Sequence, residues 1–442
     1  MLKPLNLLLC LYLYIVLLLS TYQDFFLVNL VGEIGRSGII ILTPVFLTVE
    51  ILFIYKKKRI MTKLQRTIFL FSTIVFFIGV LYCAVIFLQG SYEVFGESLF
   101  LKQLKGYSYL FVIFLYIRHI YFILEKINDC KKISTVLFFT NISLFCFLIL
   151  EYLQIPNSLT ALHSSSDPYY RIRLLTRESS YTSTIWVVYF VLGYYLAMHN
   201  SKYARGLYRF TYVLGFLIFL ILSGSKGFII SLFITILIIV FINSLTLARK
   251  FSLKKYSIQI LVIFLGIVFF QAMGSVFIKS LNSDISDYTS LATRLTSVVA
   301  AFNLVLHHPF GIGVGNIVYF LPNSLLSSIV IVREFFLNYF NTSLNFDEVY
   351  ELTKSDYGLS IKSGVLQWMV YGGIISIYFI FKFIRYTFKL TYKNYLLLFI
   401  NLFVWISLLV FIGFEGKYEI WFWFSFIEWY TLYNLNGRIK DE

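Results

Sequence analysis

The 442-residue sequence reads as an all-α, polytopic integral membrane protein, a single membrane domain over residues 1–442. Three observations carry that reading. Hydrophobic residues make up 59% of the chain, charged residues only 13%, and the mean hydropathy is +0.81. So little charge cannot cover a soluble protein of this size, which leaves the bilayer as the solvent. The apolar stretches are long and continuous and do not alternate every second residue. Each therefore satisfies its own backbone polar groups as a helix, and a barrel is disfavoured. Finally, Lys and Arg gather in short segments between apolar runs, such as Lys56-Lys57-Lys58-Arg59 and Arg249-Lys250 with Lys254-Lys255. That pattern orients a chain in the membrane. The net charge of +15 is accordingly no sign of a nucleic-acid partner.

About twelve spans of ~20 residues are expected. Their centres fall near Tyr14, Phe46, Ile78, Phe114, Leu144, Phe190, Phe216, Leu237, Leu265, Ile374, Phe403 and Phe424. The first begins with one Lys ahead of a long apolar run and lacks a small-x-small cleavage site, so it reads as a retained helix and not a signal peptide. With the amino terminus inside, the basic segments 56–66, 126–132, 202–209, 249–255 and 382–393 all face the cytoplasm, as do both termini. Two long segments then lie outside, 156–178 and the much larger 275–361. Within the second, Leu291, Leu295, Val298, Val299, Phe302, Val305 and Leu306 form a helical stripe. Thr293, Thr296, Ser297, Asn303 and His307 take the opposite face. An amphipathic helix lying flat at the outer membrane surface is expected there, ended by Pro309. No internal repeat is visible, unlike inverted-repeat transporters with paired Gly- or Pro-broken spans.

Cations outside the membrane run against the usual bias. The segment PYYRIRLLTRESSYTSTIW places three there, Arg171, Arg173 and Arg177, followed by Glu178. Arginine forks grip phosphate oxygens in pairs and stay charged when partly desolvated, so the three suit a lipid-linked pyrophosphate. Lipid head groups, or pairing with Glu178 and Asp167, account for them as well, and Glu178 also suits a helix N-terminus. Lys226 sits in the tight outer turn Ser223-Gly224-Ser225-Lys226-Gly227, where a lone Lys is more often a snorkelling anchor than a ligand. Arg294 lies at the edge of the apolar stripe, where a long cation can reach phosphate. The glycines of HHPFGIGVGN offer N–H groups for an anion nest, although a Gly-rich turn is the default reading. Because this run follows a helix and not a strand, it is no dinucleotide site. His307 or His308 can act as a base near neutrality, or simply face solvent.

Within the membrane the ionisable residues are Glu50, Arg118, Glu151 and Glu428. Arg118 would cost ~2.5–3.5 kcal/mol unpaired at mid-bilayer, so a structural ion pair is expected. Cys10, Cys83, Cys130 and Cys146 have neither metal-site spacing nor a common oxidising compartment. No acidic metal cluster is apparent, and metal: none is the expectation.

Taken in order, these motifs resemble the bacterial O-antigen polymerase and O-antigen ligase superfamily, the Wzy-type membrane glycosyltransferases. That family often carries Arg, then Gly, then Glu-Pro-Ser at the start of a span. Here Arg171, Glu178 and Ser180 keep the spacing, while Leu174 replaces the Gly and Ser179 the Pro. A later Ser-Arg-Gly turn reads Ser225-Lys226-Gly227, and the Arg-led helix with His-Pro and Gly-x-Gly-x-Gly matches Arg294 to Asn316. A span opening in Leu-Gln followed by Gly-Gly matches Leu366-Gln367 and Gly372-Gly373. The resemblance covers about residues 171–379.

The resemblance implies an enzyme of the bacterial cytoplasmic (inner) membrane that needs no cofactor. It would polymerise oligosaccharide repeat units at the outer face, transferring glycan from undecaprenyl pyrophosphate for O-antigen (lipopolysaccharide), capsule or exopolysaccharide. Arg171, Arg173, Arg177, Lys226 and Arg294 would bind the pyrophosphate, with Glu178, His308 and Arg294 catalytic. Membrane lipids and a chain-length regulator are the other expected partners. Ligases carry a His or His-Asn pair just before the last matched span, whereas this chain has Ile361-Lys362-Ser363, which favours polymerase over ligase. The alternatives are an O-antigen ligase acting on lipid A core or another acceptor and, from another class, a flippase for lipid-linked sugars.

Overall fold

The computed structural model describes residues 4–55, 61–157, 159–164, 168–247, 290–355 and 358–441. Apart from one short hairpin, β1 (Glu93–Val94) with β2 (Glu97–Ser98), the regular elements described are helical. The helices are α1 (Pro4–Thr21), α2 (Thr43–Tyr55), α3 (Lys63–Leu88), α4 (Leu99–Ile127), α5 (Cys130–Gln154), α6 (Ser179–His199), α7 (Lys202–Leu222) and α8 (Lys226–Leu247). They continue with α9 (Ser290–His307), α10 (Ile317–Phe340), α11 (Asp347–Lys354), α12 (Gly364–Thr391), α13 (Tyr395–Val410) and α14 (Tyr418–Asp441). Among the described residues, nine helices are long and apolar enough to cross a membrane. Every expected span coincides with a helix except that centred near Leu265. That span lies outside the described residues, as do the basic residues 56–59 and 249–255 and Asp167.

Polar residues at the span boundaries set where the helices begin. Thr62 and Gln65 form a reciprocal capping box on α3, while Ser98, Asp129, Ser363 and Asn394 cap α4, α5, α12 and α13. Buried charges are paired as the cost of isolation requires. Arg118 Nε lies 2.7 Å from Glu50 Oε2, and its Nη1 donates to Gln65 at 3.2 Å, so the expected ion pair forms. Glu428 accepts from Leu64 N, Thr62 Oγ1 and Tyr386 Oη, tying α14 to the start of α3. Glu151 accepts from the backbone N–H groups of Arg173 and Leu174.

The helix expected from the stripe at 291–306 forms as α9, but its packing face is inverted. Ala292, Thr293, Thr296, Ser297, Ala300, Ala301 and Leu304 are buried, whereas Phe302 and Leu306 are 50% and 79% exposed. The small residues let backbones approach closely, while Leu291, Leu295, Val298, Val299 and Val305 of the stripe are half-buried at the edge of the core. Nor is α9 alone. It pairs with α10, a helix the sequence reading did not foresee, and Ser324 Oγ of α10 donates to Ala300 O at 3.0 Å. Pro322 and the Arg333-Glu334 pair inside α10 had masked it as a loop.

Helix α12 is broken at Gly373, where φ is 56° and ψ −135°. The segment after α9 threads this break. Ile374 N donates to Pro309 O at 2.8 Å, while Val370 O and Tyr371 O accept from Ile312 N and Gly313 N. A crossing strand thus completes the hydrogen bonding that the break removes, as buried backbone in a membrane requires. Only glycine allows the approach: a Cβ on Gly313 would lie 2.1 Å from Gly79 Cα, and one on Gly315 would lie 2.2 Å from Gln103 Cα.

Candidate active site

Successive spans bring the described residues of segments 22–42, 89–98, 155–178, 223–225, 341–363 and 411–417 to one end of the bundle, and Val314 and Gly315 of the strap after α9 reach the same space. A cavity of about 490 Å³ opens among them. The first turns of α4 contribute Lys102 and Lys105, the loop after α1 contributes Arg36, and Arg177 precedes α6. Lys362 comes from the segment before α12, and Glu415 and Lys417 from the α13–α14 loop. By the alternation of spans, this end is the side expected to face away from the cytoplasm.

Each cation is held by its own local logic. Lys105 Nζ lies 2.7 Å from Glu97 Oε1 and Lys102 Nζ 3.4 Å from Glu97 Oε2. The Lys105 hydrogen bond, helped by both charges, holds Glu97 below the usual carboxylate range against its slight desolvation. Arg36 Nη1 meets Asp24 Oδ1 at 3.1 Å, and Asp24 also accepts from Ser164 Oγ and contacts His163 Nδ1 at 2.8 Å. Burial alone would raise the Asp24 pKa, but these bonds and the neighbouring positive charge win and hold it well below its ordinary value. Lys417 is buried, with Nζ 3.4 Å from the Tyr181 ring centroid and a hydrogen bond to Gln23 Oε1. Burial pushes its ammonium pKa down; Glu419 and Glu178 oppose that, while Arg36 and Arg177 add to it. Gln23 Nε2 and Thr184 Oγ1 each donate to Glu419 at 2.7 Å, so the segment after α1 is tied to α6 and α14 at the cavity wall.

The residues singled out from sequence fall into four groups. Arg177 lines the cavity, its guanidinium against Gly358. Glu178 and Arg294 lie with Arg177 and Arg36 within electrostatic reach of Tyr181 on the cavity wall. Arg171 and Lys226 form a neighbouring pair of segments: the Arg171 stem packs over Gly224, and Ser179 Oγ donates to Ser223 O at 2.6 Å. Arg173 turns inward, 6% exposed, with its guanidinium 4.8 Å from the Tyr169 ring centroid. His308 stands apart. Fourteen residues of helix separate it from Arg294, which at 1.5 Å per residue is about 21 Å. Its Nδ1 meets Tyr82 Oη at 3.1 Å, and burial, then His307, lowers its pKa. His307 is exposed, with Nδ1 against Asn303 O. The glycine run is no anion nest, because the N–H groups of Gly311, Ile312, Gly313 and Gly315 are engaged by His308 O, Val370 O, Tyr371 O and Gln103 Oε1.

Sequence reasoning missed Arg36, Lys102, Lys105, Lys362, Lys417 and Glu415. The signal existed for Arg36, Lys362 and Lys417, which are outer cations by the same alternation that drew attention to Arg171. Leu174, at the position where the resembled family carries Gly, has φ 50°, the left-handed region that glycine adopts freely. Burial of its side chain and the Glu151 bond to its N–H hold it there. Among the described residues, no group of three or more His, Cys, Asp or Glu is placed to hold a metal ion.

These features define a multi-pass helical membrane protein with a cation-lined cavity at one end of its bundle. Residues 211–381 match the Wzy_C family model, described as O-antigen ligase, consistent with the O-antigen polymerase/ligase superfamily that the motifs resemble. Its members are membrane glycosyl-transferring enzymes, polymerases and ligases alike. The match contains Lys226, α9, α10 and the first part of α12 with its break at Gly373, while the segment 171–178 and the 411–417 loop lie outside it. No curated protein and no solved structure matches the chain.

Proposed function

We propose that the protein polymerises lipid-linked oligosaccharide repeat units, transferring a growing glycan from a polyprenyl diphosphate onto the next unit at the outer membrane face. The observation that carries this reading is the cavity wall, where Arg36, Lys102, Lys105, Arg177, Lys362 and Lys417 converge at the membrane end expected to face outward. A sugar hydroxyl of the acceptor attacks the donor's anomeric carbon, the bond to the diphosphate oxygen breaks, and the electron pair leaves with the diphosphate. Negative charge grows on that leaving group, and positioned cations stabilise it where water is scarce. Arg177 and Lys417 would meet it inside the cavity, with Arg294, Arg171 and Lys226 at the entrance. Glu178, whose charge acts on both Lys417 and Tyr181, positions the cations. Removing one such donor costs about 10²–10³ in rate, equivalent to ~2.7–4 kcal/mol.

The matched family description favours a second reading, transfer of a finished glycan to a separate acceptor. Against it, Lys362 occupies the cavity wall where the resembled ligases place their His. A deletion strain separates the two. Loss of a polymerase leaves product carrying a single repeat, whereas loss of a ligase leaves long chains on the carrier lipid; the second pattern would overturn the polymerase assignment.

A further inference from the structure

The α13–α14 loop puts one carboxylate on the cavity wall that neither the motifs nor the family match points to. Glu415 is half-buried and folds back over Gly413, with Oε2 3.4 Å from where a Cβ on that glycine would stand. Two donors from the first turns of α12 hold it. Trp368 Nε1 donates to Oε1 at 3.2 Å, and the Tyr371 hydroxyl, which accepts from Gln367 Nε2, forms a further bond to the carboxylate. Trp368 is itself clamped between Phe71 and Phe414, with ring centroids 4.4 and 4.0 Å away. Tyr371 sits just before the glycine break, and its carbonyl is the one that Gly313 N–H engages. The break in α12 and its glycine strap therefore fix the donors that fix Glu415. Gln367 and Tyr371 also line the cavity, so this constellation faces the same space as the cations.

We infer that Glu415 is the general base of the transfer reaction, an inference that rests on the glycosyl-transfer reading above. The acceptor hydroxyl forms its new C–O bond to the donor's anomeric carbon. The electron pair of the broken bond leaves on the diphosphate, and the hydroxyl proton passes to the Glu415 carboxylate. The protonated side chain then returns that proton to water on the outer side. Among the expected candidates, His308 is about 21 Å from Arg294 along α9, and Glu178 is not among the residues lining the cavity. Burial raises the Glu415 carboxyl above its ordinary range, with the Trp368 and Tyr371 bonds opposing. A raised pKa makes the carboxylate a stronger base toward the acceptor hydroxyl. The other titratable groups around the cavity are Tyr371 on α12, Glu97 on β2, Lys102, Lys105 and Tyr109 in the first turns of α4, and Arg36. Arg177, Tyr181, Lys362, Lys417 and Tyr418 complete the set.

The test uses the full-length protein reconstituted with a defined repeat unit on polyprenyl diphosphate, with chain extension followed across pH. Glu415→Gln keeps the shape and removes the base; it should lower turnover by about 10²–10⁴ and leave the donor KM unchanged. Trp368→Phe keeps the ring stack but removes a bond that favours the ionised form, so the acidic limb of the rate profile should move to higher pH. If the wild type extends chains while Glu415→Gln loses less than that range, the inference about Glu415 fails and the transfer reading stands. If Glu415→Gln does not fold, Trp368→Phe decides alone, and an unmoved acidic limb overturns the inference. A wild type that transfers no sugar from the lipid-linked unit overturns the transfer reading, and the role of Glu415 with it.

Discussion

Replacing Gly313 by alanine should destabilise the protein strongly, because neither the space nor the backbone conformation there admits a side chain. A Cβ at Gly313 would stand 2.1 Å from Gly79 Cα and 2.6 Å from Gly79 N, and φ there is +77°. The obstructing atoms are backbone of α3, so no side chain can swing aside. Forcing a methyl into such a contact costs about 1–3 kcal/mol, and holding a non-glycine residue in the left-handed region adds about 1–2 kcal/mol. The sum is about 2–5 kcal/mol. Gly206 provides the control: it lies in the first turns of α7 with nothing within 4 Å of a built Cβ. Alanine there should be neutral or should stabilise by about 0.5–1 kcal/mol. Thermal unfolding of the two variants in the same detergent reads the difference directly. Because Val314, Gly315 and Tyr371 on either side of the strap line the cavity, Gly313→Ala should also lose transfer activity in proportion to its loss of folded protein. If Gly313→Ala melts with the wild type, the close passage of the strap between α3 and α12 is wrong.

Three further outcomes follow from named contacts. Arg118→Ala strands the Glu50 carboxylate in the membrane and should cost about 3–5 kcal/mol, whereas Arg118→Met with Glu50→Leu should cost much less; equal losses in unfolding experiments would contradict the pair. Asp24→Asn should loosen the docking of segment 22–42 on His163 and Ser164 by a similar ~3–5 kcal/mol. The Asp24 pKa is depressed on folding, so its stabilisation is present above the ordinary carboxylate range and is lost as pH falls through the lower folded value. A stability curve of the variant that falls in acid as steeply as the wild type's would contradict that contribution. His308→Ala should retain transfer activity with its KM for the lipid-linked donor intact, since the ring is bonded to Tyr82 and is not among the residues lining the cavity; loss of turnover in a folded variant would return His308 to the mechanism.

The spans were legible because hydropathy and loop charge are local properties, and membrane insertion acts on them locally. The existence of α9 was legible for the same reason, from its 3.6-residue stripe. Its orientation was not, because a stripe says where apolar residues are and leaves open whether lipid or protein covers them. Protein took the small residues around Ala300 and left Phe302 to lipid. Helix α10 was hidden by Pro322, Arg333 and Glu334, each tolerable in a helix whose partner lies alongside. The glycines of the 311–315 run looked like a ligand loop, because their true partners, Gly79, Gln103 and Gly372, lie in spans far away in sequence. The site itself was half visible. Arg177 and the segment holding Glu178 were found from charge on the wrong side of the membrane. Lys417, whose surroundings come from Gln23, Tyr181 and Glu419, becomes significant only when α1, α6 and α14 are brought together.

The central claim is that fixed positive charge around this cavity stabilises a departing polyprenyl diphosphate. Single-turnover extension of a defined lipid-linked repeat by reconstituted protein measures this most directly, comparing the wild type with Arg36→Ala and Arg177→Ala. The account predicts that each variant stays folded, still binds the lipid-linked donor, and transfers sugar about 10²–10³ more slowly. Transfer at the wild-type rate by both variants would contradict it.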